Sequence, residues 1–296
     1  MSDQKKTIVG VVGLGSMGLG MAQTLAGKGF ETIGFDLSPE RRVLAENGGV
    51  QPAEKTEELF ARADFLVFSL PTARDVENVV NAHGALLGGE GRGRVIVIDT
   101  STSEPDVSRA LAAKLDAMGH GFLDAPVSGG PAGAANGALT MMIGGTDSDL
   151  ALARPIIEAM SAKALHVGPS GAGNVAKLVN NLLAAAHMVT TSEALKLAFA
   201  AGISPESALR VLNAASGKSM ISEVHFPTWV MNGRFDSGFS MGLMRKDVRL
   251  AKALADRTGA ELPMAELVAK LWAGSDQLKD SDDFTRMGAF LPEDTK

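Results

Sequence analysis

TIVGVVGLGSMG, residues 7–18, is the stretch on which the fold turns. A short run rich in Val, Ile and Thr leads directly into glycines at positions 13, 15 and 18. β-Branched residues bounded by turn formers read as a buried strand over 7–13. Helical spacing follows over 16–28, with Gly29 in place to stop it. Gly13-Leu14-Gly15-Ser16-Met17-Gly18 thus fits G-x-G-x-x-G at a strand-to-helix turn. The pattern alone is weak in a chain with 34 glycines. Its weight comes from the strand before it and the helix after it. In such a turn the first glycine permits the tight bend and the second lets backbone approach a pyrophosphate. The third lets helix and strand pack closely, and the helix N-terminus faces the phosphates. The plain alternative is a glycine turn that binds nothing.

Working outward, residues 31–36 (ETIGFD) form a second strand ending at Asp36, 18 residues after Gly18. A carboxylate there accepts hydrogen bonds from both adenosine ribose hydroxyls and repels a 2′-phosphate, which favours NAD over NADP. Arg41 and Arg42 would blunt this argument, but their spacing puts them on the solvated face of a helix over 39–47. Two further strand ends point at the same crevice, Leu70-Pro71 and Thr100-Ser101-Thr102. Thr102 can hydrogen-bond ribose or nicotinamide; alternatively it caps a helix over 104–118, and Ser103 competes for that role.

Strands over 64–70, 95–99, 121–124, 138–144 and 165–168 alternate with helices over 73–80, 104–118 and 147–160. This implies right-handed βαβ units on a mainly parallel sheet. After Gly168 the pattern changes. Pro169-Ser170-Gly171 is a breaker, and the remainder reads as helix with short loops, beginning with one long helix over 171–202 and continuing at 205–214, 241–258 and 263–273. The expected organisation is an α/β dinucleotide-binding domain over 1–168 followed by an all-helical domain over 169–296. The long helix is Ala-rich and poor in charge, which suggests packing on all sides, in part by a second subunit.

Composition narrows the function. The chain has 296 residues, 45% apolar and 21% charged, and a mean hydropathy of +0.11. Lys and Arg total 28 against 34 Asp and Glu, a net charge of −6, without the basic footprint of a nucleic-acid binder. No cysteine is present, so disulfides, thiolate metal sites and Cys nucleophiles are excluded, and no other metal site is supported. The polar start MSDQKK lacks the apolar core of a signal peptide, and no stretch reaches the roughly 18 apolar residues of a membrane span. A soluble, cytoplasmic protein is expected.

If a nicotinamide cofactor is bound, hydride transfer from a carbinol needs one protein group to move the hydroxyl proton. Tyrosine is absent. The five histidines, at 83, 120, 166, 187 and 225, have no carboxylate partner at an obvious spacing and read as structural. Lys177 differs. It stands among Val175, Ala176, Leu178 and Val179 near the start of the long helix, with Asn181 four residues on and Gly173 one turn earlier on the same face. Gly173 leaves room for a substrate or a neighbouring backbone. A desolvated lysine gives up its proton more readily, which suits an acid/base. On spacing alone a lysine snorkelling from the first helical turn stands beside that reading. Asp124-Ala125-Pro126-Val127-Ser128-Gly129-Gly130 leaves the strand over 121–124 and cannot continue as a helix. Ser128 and the amides of Gly129 and Gly130 offer a neutral cradle for a carboxylate; a plain Gly/Pro loop is the competing account.

With these residues assembled, the chain resembles the β-hydroxyacid dehydrogenases, the group of 3-hydroxyisobutyrate dehydrogenase and tartronate semialdehyde reductase. Four motifs in order carry the resemblance: GLGSMGLGMA, DAPVSGGPAGAANGALTMMIGG, GAGNVAKLVNN and MRKDVRLA. It implies a Rossmann-type domain joined to an all-helical domain, assembled as a homodimer or homotetramer on the long helix. It implies that Lys177 is the acid/base and that Asn181 holds the substrate or the lysine. It also implies that Ser128, Gly129 and Gly130 bind the carboxylate of a small hydroxyacid, and that Lys246 reaches the cofactor. Asp36 resembles the NAD-using branch, and Lys177 argues against imine reductase activity, whose carriers replace it. Substrate side chains are expected to be sensed by Ser216-Gly217-Lys218-Ser219 and Asp282-Asp283-Phe284. The alternatives are an NADP-dependent tartronate or succinic semialdehyde reductase of glyoxylate type, and a non-catalytic NAD-binding module.

Overall fold

A computed structural model describes residues 6–88 and 93–290. Residues 1–5, part of the stretch read for a leader, lie outside them. The chain divides into two compact units, with the boundary between Lys177 and Leu178 inside the long helix.

In the first unit β1 (Ile8–Val12) lies between β2 (Glu31–Phe35) and β4 (Phe65–Phe68), parallel to both. Outward from β2 comes β3 (Gln51–Pro52), and outward from β4 come β5 (Ile96–Asp99) and β6 (Gly121–Asp124), all parallel. The spatial order is therefore 3-2-1-4-5-6, which reverses direction between β1 and β4. β8 (Leu139–Gly144) joins antiparallel at Asp124↔Gly144. It carries the short antiparallel β7 (Val127–Ser128) and the parallel edge strand β9 (Ser161–Gly168).

The central strands β1, β4, β5 and β6 are largely apolar because both faces are covered, whereas the edge strand β9 is exposed along most of its length. Successive residues go to opposite cores. Val9, Val11, Val67, Ile96, Ile98 and Leu123 pack with α1 (Ser16–Gly27) and α7 (Asp147–Met160). Leu66, Phe68, Val97 and Phe122 pack with α3 (Thr56–Arg62), α4 (Ala73–His83) and α5 (Pro105–Ala117). Each fully buried Leu or Phe of this kind contributes about 1.5–3 kcal/mol. Side-chain caps fix the helix starts: the Ser38 hydroxyl accepts the Arg41 N–H ahead of α2 (Pro39–Asn47), and that of Thr146 the Asp149 N–H of α7.

Several elements depart from the sequence reading. β3 and α3 occupy a stretch given no element. The loop after Asp124 pairs briefly as β7 and then forms α6 (Gly130–Ala135), whose Ala134 carbonyl accepts the Thr24 hydroxyl of α1 at 2.8 Å. β9 starts at Ser161, four residues before the expected 165.

α8 (Ala172–Ala200) runs 29 residues, about 43 Å at 1.5 Å each. In the second unit its later turns join α9 (Pro205–Ala214), α10 (Met241–Thr258) and α11 (Pro263–Ala273). Their core gathers Ala185, Met188, Phe226, Met244, Val248 and Trp272, and the Trp272 indole donates to the Ala185 carbonyl at 3.2 Å. Pro227 sits inside a π-helix over Ile221–Val230, closed by Met231 N–H on the Phe226 carbonyl. Among the described residues no helix is long and apolar enough to cross a membrane.

Candidate active site

The glycine turn after β1 is built by two kinds of glycine. Gly13 has φ +90°, and a Cβ there would lie 2.4 Å from the Ser69 carbonyl oxygen. A Cβ at Gly18 would lie 1.9 Å from the Gly13 carbonyl oxygen. Both are demanded by the turn itself. A Cβ at Gly15 would meet nothing within 4 Å, and its backbone (φ −60°, ψ −172°) suits any residue. Gly15 is also the N-cap of α1 and offers no capping side chain to the first amides. Bare backbone at an uncapped helix start fits a pyrophosphate. Ser16 is exposed and Met17 half-buried, whereas Leu14 is fully buried and its N–H is taken within the protein.

That N–H donates to Asp36 Oδ2 at 2.7 Å, while Asp36 Oδ1 accepts the Ser38 N–H at 2.9 Å. The carboxylate is therefore held rigidly at the end of β2. With about four acceptor sites it keeps capacity for ribose hydroxyls. Arg42 is not on a solvated face. Its side chain is 17% exposed and its guanidinium donates to the Asp36 carbonyl at 2.8 Å, pairing also with Glu54 at 3.4 Å. The carbonyl oxygen and Glu54 draw it back to the strand end.

The loops after β4 and β5 are tied together. Leu70 N–H donates to Ser101 Oγ at 3.0 Å, and Thr100 Oγ1 donates to the Phe68 carbonyl at 2.6 Å. Leu70-Pro71 and Thr102 thus border the reversal between β1 and β4, where open α/β sheets bind ligands. Neither Thr102 nor Ser103 caps α5, because the cap position falls on Glu104. Ser103 N–H donates instead to Asn174 Oδ1 at 2.8 Å.

Ser128 pairs with Thr140 across β7 and β8, and the next two residues both have left-handed backbones, Gly129 at φ +125° and Gly130 at φ +63°. A side chain at either would be strained, so the loop presents bare amides beside the Ser128 hydroxyl. The start of α8 lies against β8 and the end of β6. A Cβ at Gly173 would come 2.4 Å from the carbonyl oxygens of both Asp124 and Met142, so this glycine admits neighbouring backbone. Asp124 is fully buried, and its carboxylate accepts the N–H of Gly171 at 2.7 Å and of Asn174 at 2.9 Å. Burial pushes that carboxyl above the usual range, with the backbone N–H groups opposing the shift. Lys177 follows one turn later and is 8% exposed.

In the second unit Asn181 Nδ2 donates to Asp247 Oδ2 at 2.6 Å, and Asn181 Oδ1 accepts from Asn180 Nδ2 at 3.1 Å. Lys246 Nζ stands 3.5 Å from Asp247 Oδ1. The segments expected to sense a substrate are engaged locally. Lys218 pairs with Glu223 at 2.6 Å, and Asp283 accepts from Ser237, Gly238 and Thr285. Among the described residues no group of three or more His, Asp or Glu is arranged to hold a metal ion.

The family model for the NAD binding domain of 6-phosphogluconate dehydrogenase matches residues 8–168. That for the NAD-binding of NADP-dependent 3-hydroxyisobutyrate dehydrogenase matches residues 171–291. A 2-(hydroxymethyl)glutarate dehydrogenase of Eubacterium barkeri is 34% identical over 92% of this chain and 90% of its own. The chain belongs to the β-hydroxyacid dehydrogenase family. A probable 3-hydroxyisobutyrate dehydrogenase of Mycobacterium bovis is 36% identical over 90% of this chain and 92% of its own. The solved Mycobacterium tuberculosis 3-hydroxyisobutyrate dehydrogenase with L-serine has a TM-score of 0.88 and 34% identity. The match covers 95% of this chain and 98% of that one. The protein is thus an oxidoreductase, an NAD-dependent hydroxyacid dehydrogenase with an N-terminal Rossmann-type domain and a helical C-terminal region.

Three residues of this β-hydroxyacid dehydrogenase escaped the sequence reading: Asp124, Asn174 and Asp247. Each acts through a partner 47 to 71 positions away, beyond the reach of spacing arguments. The one local signal was Asp247 itself, a carboxylate adjoining Lys246 inside an apolar helical face.

Proposed function

We propose that the enzyme oxidises a short 3-hydroxyacid of the 3-hydroxyisobutyrate kind, with Lys177 as general acid/base. The observation that carries this reading is a buried lysine one turn beyond a helix start locked to the substrate-side loop by Asp124. Nicotinamide, when bound, supplies the hydride acceptor for the carbinol carbon. Lys177 as a neutral amine takes the hydroxyl proton and becomes an ammonium; in the reverse direction it returns that proton to the semialdehyde oxygen. Asn181 holds the substrate or the lysine. Ser128 and the amides of Gly129 and Gly130 bind the substrate carboxylate. Gly13, Leu14, Gly15, Ser16, Met17 and Gly18, with Asp36, Leu70, Pro71, Thr102 and Lys246, serve the cofactor. Domain limits of 1–168 and 169–296 follow the functional division.

Asp36 favours NAD over NADP, because a rigidly held carboxylate repels a 2′-phosphate. This counts against an NADP-dependent semialdehyde reductase. The presence of Lys177, Asn181 and Ser128 together counts against a non-catalytic NAD-binding module. Val179, Leu183 and Leu197 are more than half exposed along α8, and they support a homodimer or homotetramer built on that helix. The enzyme acts in the cytoplasm.

The test is Lys177→Ala. NAD affinity stays near that of the unmodified enzyme and turnover is lost; normal turnover sinks the assignment. An initial-rate panel of 3-hydroxyisobutyrate, 2-(hydroxymethyl)glutarate, glycerate, serine, threonate and 4-hydroxybutyrate, each with NAD and NADP, then identifies the substrate. The highest kcat/KM is expected for 3-hydroxyisobutyrate with NAD.

A further inference from the structure

Asn174 has no exposed surface, and it joins three separate parts of the first unit. Its backbone N–H donates to Asp124 Oδ2 at the end of β6, at 2.9 Å. Its Nδ2 donates to Ser108 Oγ on α5 at 3.0 Å. Its Oδ1 accepts the N–H of Ser103, the neighbour of Thr102, at 2.8 Å. An asparagine amide can donate and accept at once, so one side chain bridges the Ser108 hydroxyl and the Ser103 backbone amide.

The surroundings leave the start of α8 little freedom. Asp124 Oδ1 takes the Gly171 N–H at 2.7 Å, so this one carboxylate caps the helix at two points. Gly173 has backbone of two strands against it, with Asp124 and Met142 carbonyls 2.4 Å from where a Cβ would stand. A shift of α8 along or about its axis would break the Asp124 and Asn174 bonds together. Lys177 lies three residues after Asn174, one helical turn on and on the same side. The loop bonded by Asn174 carries Thr102, and the strand that ends in Asp124 leads into Ser128.

We propose that Asn174 is a positioning residue: it registers the Lys177 turn of α8 against the Thr102 loop and the end of β6. The inference rests on Lys177 as the proton carrier. Proton transfer demands hydrogen-bond reach, and a displacement of about 1 Å costs on the order of 10²-fold in rate. Loss of a simple packing residue would lower stability without that effect on turnover per folded enzyme.

The experiment compares Asn174→Ala, Lys177→Ala and the double variant in the full-length protein, with folding checked by circular dichroism and NAD affinity by titration. Asn174→Ala is expected to lower kcat about 10²-fold at nearly unchanged KM and NAD affinity, and to displace the pH profile of kcat. In the Lys177→Ala background the same change adds nothing to the residual rate, because both act through one group. Full kcat in Asn174→Ala, with Lys177→Ala inactive, overturns this inference alone. An equal fall in both backgrounds also overturns it. Normal turnover by Lys177→Ala overturns the proton-carrier reading and this inference with it. If Asn174→Ala fails to fold, Ser108→Ala removes one anchor instead: lowered kcat at constant KM supports the proposal, and unchanged kcat overturns it.

Discussion

Asn181 donates its amide to Asp247 at 2.6 Å, and both side chains are buried. An ionised carboxylate accepts hydrogen bonds and donates none, so it fixes which end of the Asn181 amide faces it. The amide oxygen is then turned to Asn180. Asp247 therefore sets the orientation of a residue proposed to hold substrate or lysine. Asp247→Ala leaves a buried amide without its acceptor, which costs about 1–3 kcal/mol. Urea unfolding should show a loss of that size, and steady-state kinetics a lower kcat/KM. Asp247→Asn keeps an acceptor oxygen and should lose less on both counts. Equal behaviour of the two variants would show that the carboxylate does not orient Asn181.

The two types of glycine in the turn after β1 predict opposite phenotypes. Gly18→Ala sets a methyl against the Gly13 carbonyl, a backbone clash that cannot relax without opening the turn. It should lower Tm and abolish cofactor binding together. Gly15→Ala meets no protein atom and has a permissive backbone. Tm should hold while NAD affinity falls, because the methyl occupies the approach to the α1 amides. Calorimetry and fluorescence titration of the two variants separate these outcomes. An unchanged NAD affinity in Gly15→Ala would remove that surface from the cofactor site.

Asp36 carries both a structural and a selective load. Its two oxygens hold the Leu14 and Ser38 amides, so Asp36→Ala frees both and should lower Tm as well as weaken NAD. A charge-assisted hydrogen bond contributes about 1.5–3 kcal/mol, so NAD affinity should fall roughly tenfold or more. The NADP-to-NAD ratio of kcat/KM should rise, since the repelling charge is gone. Asp36→Asn retains an acceptor and separates charge from geometry. A ratio that stays constant in both variants would refute Asp36 as the selector.

Much of this architecture was legible because it is local. The β1–turn–α1 unit is written in consecutive residues, and the helices Pro39–Asn47, Asp147–Met160, Pro205–Ala214 and Pro263–Ala273 carry their own start and stop signals. β3 has two residues and α3 seven, too short for periodicity to declare them. Pro227 reads as a break because proline removes one donor and crowds the preceding turn. The wider register around it, closed by Met231 on Phe226, is invisible in sequence. Lys177 and Asn181 were visible as one helix face. Their supports Asp124, Asn174 and Asp247 act across long sequence separations, which spacing does not encode.

His225 gives stability a pH dependence of defined sign. It lies in the π-helix with its ring against Trp229, 5.0 Å between centroids, and Phe284, 5.6 Å. Burial pushes its pKa below the ordinary 6.5, and the Met220 carbonyl and Asp283 oppose that shift without cancelling it. The folded protein therefore binds fewer protons at this site than the unfolded chain does, and stability increases with pH across the interval. The contribution is complete above pH 6.5 and is lost as pH falls from there through the lowered folded value. Asp124 acts in the opposite sense, since a raised carboxyl favours the folded state more strongly when protonated. The two are separated by comparing urea midpoints of the unmodified protein and His225→Gln over pH 5 to 7.5. The variant should lose part of the rise in stability toward pH 6.5 and run parallel to the unmodified protein above it. Identical slopes below pH 6.5 would show that the His225 ring does not titrate differently in the folded state.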